Sequence, residues 1–355
     1  MSTEVLPVEK SNLSPEIIKL NVLPYYNLQN GEISMIKFKD TDKQRAVYRI
    51  DFKDKSYCLK KVYYNLQDLL YVYSSIEWLY RNNIKVPKLL PTIDNNRFVS
   101  YNNMLFILTP WIGGEKCSFD NMNHVILSAQ KLATIHSISR NFYPIPGSSL
   151  KEGYDDYYIS TSKHFQDLLK ASNESFKYKD KFSREFISNF DLNLRLAKIS
   201  LDISSKINTN DLSKSLCHGD YVNKNIIFPD DLDPWIIDFD KCKSDYCAKD
   251  LAYFMRRLLK RENTKWDVEI AISVLKNYNE IYPLTESDFK YLISYICFPQ
   301  KYWKISRDYY KNVYKCNKTA FLTLLSSATS KTDFQYDFAV NIIDRVQKEF
   351  NVTIL

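Results

Sequence analysis

The residues with the clearest chemical potential are a histidine, a glycine and an aspartate in a row, followed by an asparagine and a second aspartate. His218, Gly219 and Asp220 precede Asn225 in the pattern His-x-Asp-x-x-x-x-Asn, and Asp238 follows the apolar run WII. Phosphoryl transfer needs an aspartate that orients an attacking hydroxyl or accepts its proton, and oxygen ligands that hold magnesium on nucleotide phosphates. Asp220 suits the first task, and Asn225 and Asp238 suit the second.

A short hairpin is predicted to bring the last two of these residues together. If NIIF pairs with WIID around the loop 229–234, Asn225 lies directly opposite Asp238. Opposite residues on antiparallel strands have Cβ atoms about 5 Å apart, close enough for two side chains to bind one cation. The alternative is that both are polar residues at a hairpin end and that His218 is a packed, structural histidine. The complete pattern favours the metal site.

A lysine and a glutamate nearer the N-terminus form a second candidate pair. Lys60 alternates with Cys58 and Val62 on a predicted strand, so these three side chains share one face and Lys61 points outward. Glu77 falls on the apolar face of the helix that follows, where a carboxylate is costly unless it is paired. We therefore expect Lys60 to pair with Glu77 and to reach nucleotide phosphates. A purely structural ion pair is the alternative.

The elements that must position these residues change character along the chain. Residues 31–62 alternate like antiparallel strands, and LQDLLYVYSSIEWLY has the apolar spacing of a helix. RFVSYN and MLFILTPWI predict further strands, and Gly113 and Gly114 predict a hinge. Beyond the hinge the pattern is mainly helical, apart from the hairpin. We expect an α+β, two-lobed fold, with a β-rich nucleotide-binding lobe over residues 1–108 and a helical catalytic and acceptor lobe over residues 109–355.

The composition argues against several classes of protein. Hydrophobic residues at 45% and charged residues at 26% are ordinary for a globular protein, and the net charge of +7 comes from basic residues spread along the chain. Nucleic acid is therefore not an expected partner. The start MSTEVLPVEK does not resemble a secretion signal, and no stretch is apolar enough to span a membrane. We expect a protein that is kept in the cytosol and has no membrane partner.

The cysteines show no spacing that is typical of a zinc site. The chain has seven, of which Cys242 and Cys247 lack a second pair and Cys217 merely precedes His218. We therefore expect reduced and mostly buried thiols. His136, in LATIHSIS, is expected to be a packed helix residue.

The segments that contain this chemistry are similar to those of a known superfamily. HGDYVNKNIIF and WIIDFDKC resemble the catalytic and metal-binding segments of the aminoglycoside phosphotransferase and choline kinase superfamily. Within that superfamily, the chain most resembles CotS-type spore-coat proteins. The similar segments are LKKV, KVPKLLPT, LTPWIGG, LATIHSIS, IDFDKC and FPQKYWKISRDYYKN. The likeness extends from about residue 30 to residue 320, and the aromatic segment around Trp303, Tyr309 and Tyr310 is its most specific part.

This resemblance implies a protein-kinase-like fold that uses ATP and Mg²⁺ to phosphorylate a hydroxyl group of a small molecule or a spore component. Carried over by position, the site residues are the base Asp220, the magnesium ligands Asn225 and Asp238, the phosphate-binding pair Lys60 and Glu77, and the adenine-contacting backbone near Thr109 to Trp111. Asp250 has the position of a helix N-cap and would brace the catalytic loop. The resemblance also implies a place in the spore coat, with coat proteins as partners.

One departure from the kinase-like pattern keeps a second hypothesis open. The strand turn that covers nucleotide phosphates usually contains glycine, but IKFKDTDKQRAVYRI has none, and no glycine occurs between Gly31 and Gly113. Side chains such as Lys43 or Arg45 could contact the phosphates instead. The alternative is a structural spore-coat protein with this fold and little or no catalysis. The aromatic run 291–314 could line an acceptor pocket, although packing between helices is the commoner role.

Overall fold

A computed structural model of the chain describes residues 12–39, 44–229 and 232–355. The strands are β1 Glu32–Lys39, β2 Arg45–Phe52, β3 Lys55–Lys61, β4 Val99–Tyr101, β5 Met104–Pro110, β6 Glu115–Lys116, β7 Lys214–Cys217, β8 Ile226–Phe228, β9 Trp235–Ile236 and β10 Lys243–Tyr246. The helices are α1 Pro15–Asn21, α2 Leu66–Arg81, α3 Met122–Ile138, α4 Tyr157–Tyr178, α5 Lys181–Ser188, α6 Phe190–Ser204, α7 Cys247–Leu259, α8 Val268–Ile281, α9 Glu286–Cys297, α10 Gln300–Lys311, α11 Lys318–Thr329 and α12 Thr332–Phe350.

The chain packs as two compact units. The first comprises Met1–Lys116, Asn141–Lys151 and Lys224–Cys242, and the second comprises Cys117–Arg140, Glu152–Asn223 and Lys243–Leu355. The first is built on antiparallel sheet and the second is mainly helical, which confirms the predicted α+β class. The hairpin β8–β9 belongs to the first unit because β8 pairs with β6. The assignment of nucleotide binding to a lobe over residues 1–108, and of catalysis and acceptor binding to a lobe over residues 109–355, stays a prediction. Within the described ranges, every helix is too short or too polar to cross a bilayer.

A five-stranded antiparallel sheet, in the order β1-β2-β3-β5-β4, forms the body of the first unit. On β2, the buried residues Ala46, Tyr48 and Ile50 alternate with residues on the opposite face, as the pleat of a strand requires. The core face packs against residues of α1. The hydroxyl of Tyr48 donates to the carbonyl oxygen of Leu13 at 2.6 Å and so attaches the N-terminal segment to the sheet. The opposite face carries the polar residues of the site.

A β-bulge in β1 changes which side chains that opposite face presents. The register shifts between Met35 and Lys37, so that Lys37 lies opposite Val47. In an unbroken ladder Lys37 would lie opposite Ala46, on the core face. Because successive side chains alternate between faces, the extra residue moves Lys37 to the face that carries Lys60. The bulge therefore adds a basic side chain to the site.

Aromatic side chains of α10 pack against α5 in the second unit. Tyr309 stacks on Phe182 with ring centroids 3.7 Å apart, and Tyr302 stacks on Phe186 at 4.8 Å. All four side chains are at most 2% exposed. Packing between helices therefore accounts for these members of the late aromatic segment.

Replacing Phe186 with alanine tests this packing. The change removes a buried ring that contacts Tyr302, so we expect the free energy of unfolding to fall by about 3–5 kcal/mol. Phe176→Ala is the matched control, since that ring is 62% exposed, and should cost less than about 1 kcal/mol. Denaturant unfolding followed by tryptophan fluorescence measures both values. Equal losses for the two variants would contradict the packing role.

Candidate active site

Lys60 lies in the middle of β3, on the face of the sheet opposite the core. Val47 of β2 and Ile107 of β5 flank it in the ladder. Its ammonium nitrogen Nζ lies 2.7 Å from Oδ1 of Asp238 and 2.6 Å from Oδ1 of Asp240. Burial acts to lower the pKa of Lys60, but the charges of Asp240 and Asp238 outweigh burial and raise that pKa. The lysine is therefore held in its charged form.

Asp238 and Asp240 reach the same ammonium because the chain turns sharply after β9. Asp238 adopts a left-handed conformation, with φ 68° and ψ 60°. This conformation is uncommon for a residue with a side chain, although aspartate tolerates it better than most. A 3₁₀ turn, Phe239–Lys241, follows immediately. Backbone strain of this kind is concentrated at functional sites, where the surrounding structure maintains it.

The hairpin β8–β9 forms, but its register differs from the predicted one. Ile226 lies opposite Ile236, and the amide of Ile237 donates to the carbonyl oxygen of Asn225 at 3.0 Å. Asn225 does not lie opposite Asp238, so the predicted register is wrong by one residue. An apolar pattern specifies register only where one face of a strand is buried and the other is exposed. All of β8 is buried, so its sequence could not distinguish the two registers.

A cavity of about 250 Å³ in the first unit receives these side chains. Its polar lining includes Lys60, Asn225, Asp238 and Asp240. Its apolar lining includes Val47, Val72, Ile76, Ile107 and Trp111. Asn225 and Asp238 therefore share one cavity despite the shifted register, and both offer the oxygen ligands that Mg²⁺ prefers.

Asp240 was not predicted as a site residue, although it follows Asp238 closely in IDFD. Its side chain is 5% exposed, and its Oδ2 lies 3.9 Å from Nη1 of Arg45. Its Oδ1 also accepts a hydrogen bond from the hydroxyl of Tyr64 at 3.4 Å. Asp240 is thus a buried carboxylate held between two basic side chains, Lys60 and Arg45.

Glu77 does not form the predicted pair with Lys60. Its Oε1 instead accepts a hydrogen bond from Nε of Arg81, one turn further along α2, at 2.8 Å. Ile76 of the same helix lines the cavity. Successive helix residues point about 100° apart, so the helix face that meets the cavity is centred away from Glu77. The predicted ion pair is wrong, and Asp240 supplies the carboxylate expected from Glu77.

In the second unit, Asp250 holds the backbone of the residues that precede Asp220. Its Oδ2 accepts from the amide of His218 at 2.5 Å, and its Oδ1 accepts from the amide of Gly219 at 3.0 Å. The bracing role predicted for Asp250 is therefore confirmed. Its predicted position as an N-cap is wrong, because the helix already begins at Cys247 and Asp250 lies within the first turn.

The side chain of His218 also supports this loop. Its Nδ1 accepts a hydrogen bond from the amide of Asp220 at 3.2 Å, and Gly219 between them has a φ of 73°, which glycine adopts without strain. Asp220 belongs to the second unit, whereas Asn225 and Asp238 belong to the first. The convergence of these three residues stays a prediction.

The stretch predicted to contact adenine lies at the end of β5. Thr109 and Trp111 both line the cavity. Pro110 has no amide hydrogen, and the amide of Trp111 donates to the carbonyl oxygen of Ser56 at 3.0 Å. A contact between this stretch and an adenine ring would therefore use other atoms than these amides, and it stays a prediction.

Basic side chains contribute to the cavity lining where glycine amides are usual in kinase-like folds. Lys37 and Arg45 both line it, and Lys43, the other side chain considered for this task, lies outside the described residues. Partial burial, followed by the charge of Lys39, lowers the pKa of Lys37. Lys37 was not predicted, because only the bulge in β1 turns it toward the cavity.

A family comparison bears on this arrangement. A model described as the phosphotransferase enzyme family, APH, matches residues 37–284. The matched segment contains the cavity-lining strands, the loop before Asp220 and the turn at Asp238, and it covers more than half of the chain. The chain belongs to this phosphotransferase family.

Solved structures share the fold of this chain. An aminoglycoside phosphotransferase from Alicyclobacillus acidocaldarius aligns with a TM-score of 0.76 at 18% identity, covering 92% of this chain and 95% of that one. An amicoumacin kinase in complex with AMP-PNP, Ca²⁺ and Ami aligns with a TM-score of 0.62 at 14% identity, covering 94% of this chain and 95% of that one. A microcompartment-associated aminopropanol kinase aligns with a TM-score of 0.60 at 14% identity, covering 96% of this chain and 99% of that one. The predicted kinase-like fold is confirmed.

Removing the ammonium of Lys60 tests its role in balancing the buried carboxylates. Lys60→Met removes the ammonium that contacts Asp240 at 2.6 Å and leaves Arg45 at 3.9 Å, so we expect the free energy of unfolding to fall by on the order of 3 kcal/mol. Adding Asp240→Asn to that variant should restore part of the loss, because a neutral amide needs no counter-ion. Lys55→Met, at an exposed lysine on the same strand, is the control. A double variant as unstable as Lys60→Met would contradict this charge balance.

Proposed function

We propose that this family member transfers a phosphoryl group from ATP, in the presence of Mg²⁺, to a hydroxyl group of a small molecule. The observation that carries the proposal is the contact between Lys60 and Asp238 in a cavity that Asn225 also lines. A lysine for phosphate oxygens and two oxygen donors for a metal are the groups that phosphoryl transfer requires of the protein.

The lining of the cavity suits a nucleotide. Val47 and Ile107 provide an apolar surface for a flat base, and Lys60 on the strand between them provides a positive charge for phosphates. Lys37 and Arg45 add two further positive charges. Side-chain cations can therefore replace the glycine amides that this sequence lacks. The amicoumacin kinase, which was solved in complex with AMP-PNP, supports a nucleotide in this fold.

Asn225 and Asp238 fit a magnesium ion by the chemistry of their donors. Both offer oxygen atoms, the ligand type that this hard cation requires. When bound, Mg²⁺ would neutralise charge on the nucleotide phosphates. Lys60 contacts two carboxylates, so Asp240 can retain the lysine when Asp238 turns to a metal. Asp240 thus keeps Lys60 in position for the phosphates.

Asp220 is the proposed general base. Its carboxylate would accept the proton of the acceptor hydroxyl while the hydroxyl oxygen forms a bond to the γ-phosphorus and the bond from that phosphorus to the β–γ bridging oxygen breaks, so that ADP leaves. The bonds from Asp250 to the amides of His218 and Gly219 keep the loop of this carboxylate in one conformation. Positioning of this kind contributes much of the rate in phosphoryl transfer.

The acceptor and the location are the finer parts of the proposal. The names aminoglycoside phosphotransferase and aminopropanol kinase support an amino alcohol as the first acceptor class to test. The segments similar to CotS-type proteins support a place in the spore coat and an acceptor among spore components. A structural coat protein with little catalysis is the alternative function, and the strand turn without glycine favours it.

Two aspartate variants separate nucleotide binding from chemistry. Asp220→Asn should leave Mg²⁺-dependent ATP binding nearly unchanged and lower phosphate transfer, or ATP hydrolysis without acceptor, by roughly 10²–10⁴-fold, because it removes only the base. Asp238→Asn should weaken both, because it removes a charged metal ligand. Calorimetric titration with and without Mg²⁺ measures binding, and released ADP measures turnover. An unmodified chain that binds no nucleotide at millimolar ATP would favour the structural coat protein.

The basic side chains that β1 and β2 contribute to the cavity provide a separate test of the nucleotide site. Lys37→Ala removes a cation from the cavity lining, and a lost charge-assisted contact should raise KM for ATP about tenfold with a smaller change in kcat. Lys55→Ala removes an exposed lysine of the same sheet and should leave KM unchanged. An unchanged KM in Lys37→Ala would show that Lys37 does not contact the phosphates.

A further inference from the structure

Three potential metal ligands from distant parts of the chain meet in the second unit. They are His136 of α3, Cys217 at the end of β7 and Cys247 at the start of α7. Their donor atoms all lie within 4.8 Å of one another, and each residue is at most 2% exposed. Throughout the part of the chain that the structure describes, no other three histidine, cysteine or acidic side chains meet in this way. Nothing in their spacing along the sequence predicted the cluster.

His136 is oriented to bind a metal through Nε2. Its Nδ1 lies 2.6 Å from the hydroxyl of Tyr278. A proton on Nδ1, donated to that hydroxyl, leaves the lone pair of Nε2 for a metal, and this second contact is typical of histidine ligands. Nε2 is buried and has no hydrogen-bond partner among the described residues. Oδ2 of Asp250 lies 3.7 Å from it, beyond hydrogen-bond length.

The separations of the three donors suit a tetrahedral zinc site. Zinc binds thiolate sulfur at about 2.3 Å and imidazole nitrogen at about 2.0–2.1 Å, so its ligand atoms lie about 3.5–3.8 Å apart. Donors that already lie within 4.8 Å of one another need movements of at most about 1 Å to reach these positions. Rotation of side chains can supply movements of this size.

Charge balance also favours a divalent soft-ligand metal here. Two thiolates and one neutral imidazole cancel the charge of Zn²⁺, which matters because an uncompensated charge in a buried site is costly. The hydroxyl of Tyr282, 3.7 Å from Sγ of Cys247, also faces the cluster.

We propose that His136, Cys217 and Cys247 bind a structural zinc ion. Binding releases one proton from each thiol and changes no oxidation state. The ion connects α3, β7 and α7 next to the catalytic loop, because Cys217 immediately precedes His218 and Asp250 accepts a hydrogen bond from the His218 amide. The zinc ion would thus fix the start of that loop. The proposal of a zinc site is independent of the proposed phosphotransferase activity.

Metal analysis of the purified full chain tests the site. We expect about one zinc ion per chain by mass spectrometry of the metals after purification without chelators. Exchange for Co²⁺ should produce visible d–d absorption and a thiolate charge-transfer band. Cys217→Ser and Cys247→Ser should each lower the zinc content at least about tenfold. Cys297→Ser is the matched control, because Cys297 is an equally buried cysteine of the same unit, and it should retain the metal.

Measurements on the unmodified chain keep the test independent of how the variants fold. X-ray absorption at the zinc edge should show two sulfur neighbours at about 2.3 Å together with nitrogen or oxygen neighbours. A chain that contains no zinc and takes up no Co²⁺ would overturn the proposal. A disulfide between Cys217 and Cys247, found after thiols are blocked during lysis, would also overturn it. Equal zinc loss in Cys297→Ser would identify the metal as adventitious and overturn it as well.

Discussion

A mostly buried ammonium group between two carboxylates is the interaction on which the site in the first unit depends. Lys60 stays charged inside the cavity because it contacts Asp238 and Asp240, and the buried carboxylate of Asp240 in turn depends on a nearby cation. The two acids exceed one lysine by one negative charge, which Arg45 balances in part from 3.9 Å. Under the proposed function, a magnesium ion with nucleotide phosphates would change this balance, so the same charges that stabilise the unit would receive a charged ligand.

Departures from regular backbone geometry place these charges. The bulge after Met35 turns Lys37 from the core face of the sheet to the cavity face. The left-handed conformation of Asp238 ends β9 and lets Asp238 and Asp240 approach one lysine. The bulge interrupts regular hydrogen bonding and the left-handed residue strains the backbone. Each feature lies where a basic or acidic side chain faces the cavity. In the proposed nucleotide site, side chains rather than glycine amides would therefore contact the phosphates.

The second unit relies on buried polar contacts of a different kind. Asp250 directs its charge to two backbone amides, those of His218 and Gly219, and so defines the conformation of the loop before Asp220. The two amide donors compensate the buried carboxylate, which accepts both bonds. A histidine, two cysteines and this aspartate thus form one connected polar cluster inside a helical core.

Local pattern determined the fold class, the main helices and strands, and the choice of Asp220, Asn225 and Asp238 as candidate site residues, because strand and helix periods and motif spacing are properties of neighbouring residues. Tertiary structure alone decided the rest. The register of β8 was ambiguous because that strand is buried on both faces. The partner of Lys60 depended on the rotation of α2 about its own axis, which decides which of its side chains face the cavity. The meeting of His136 with Cys217 and Cys247 joins three distant segments. Such contacts arise from the packing of whole elements, which no local period encodes.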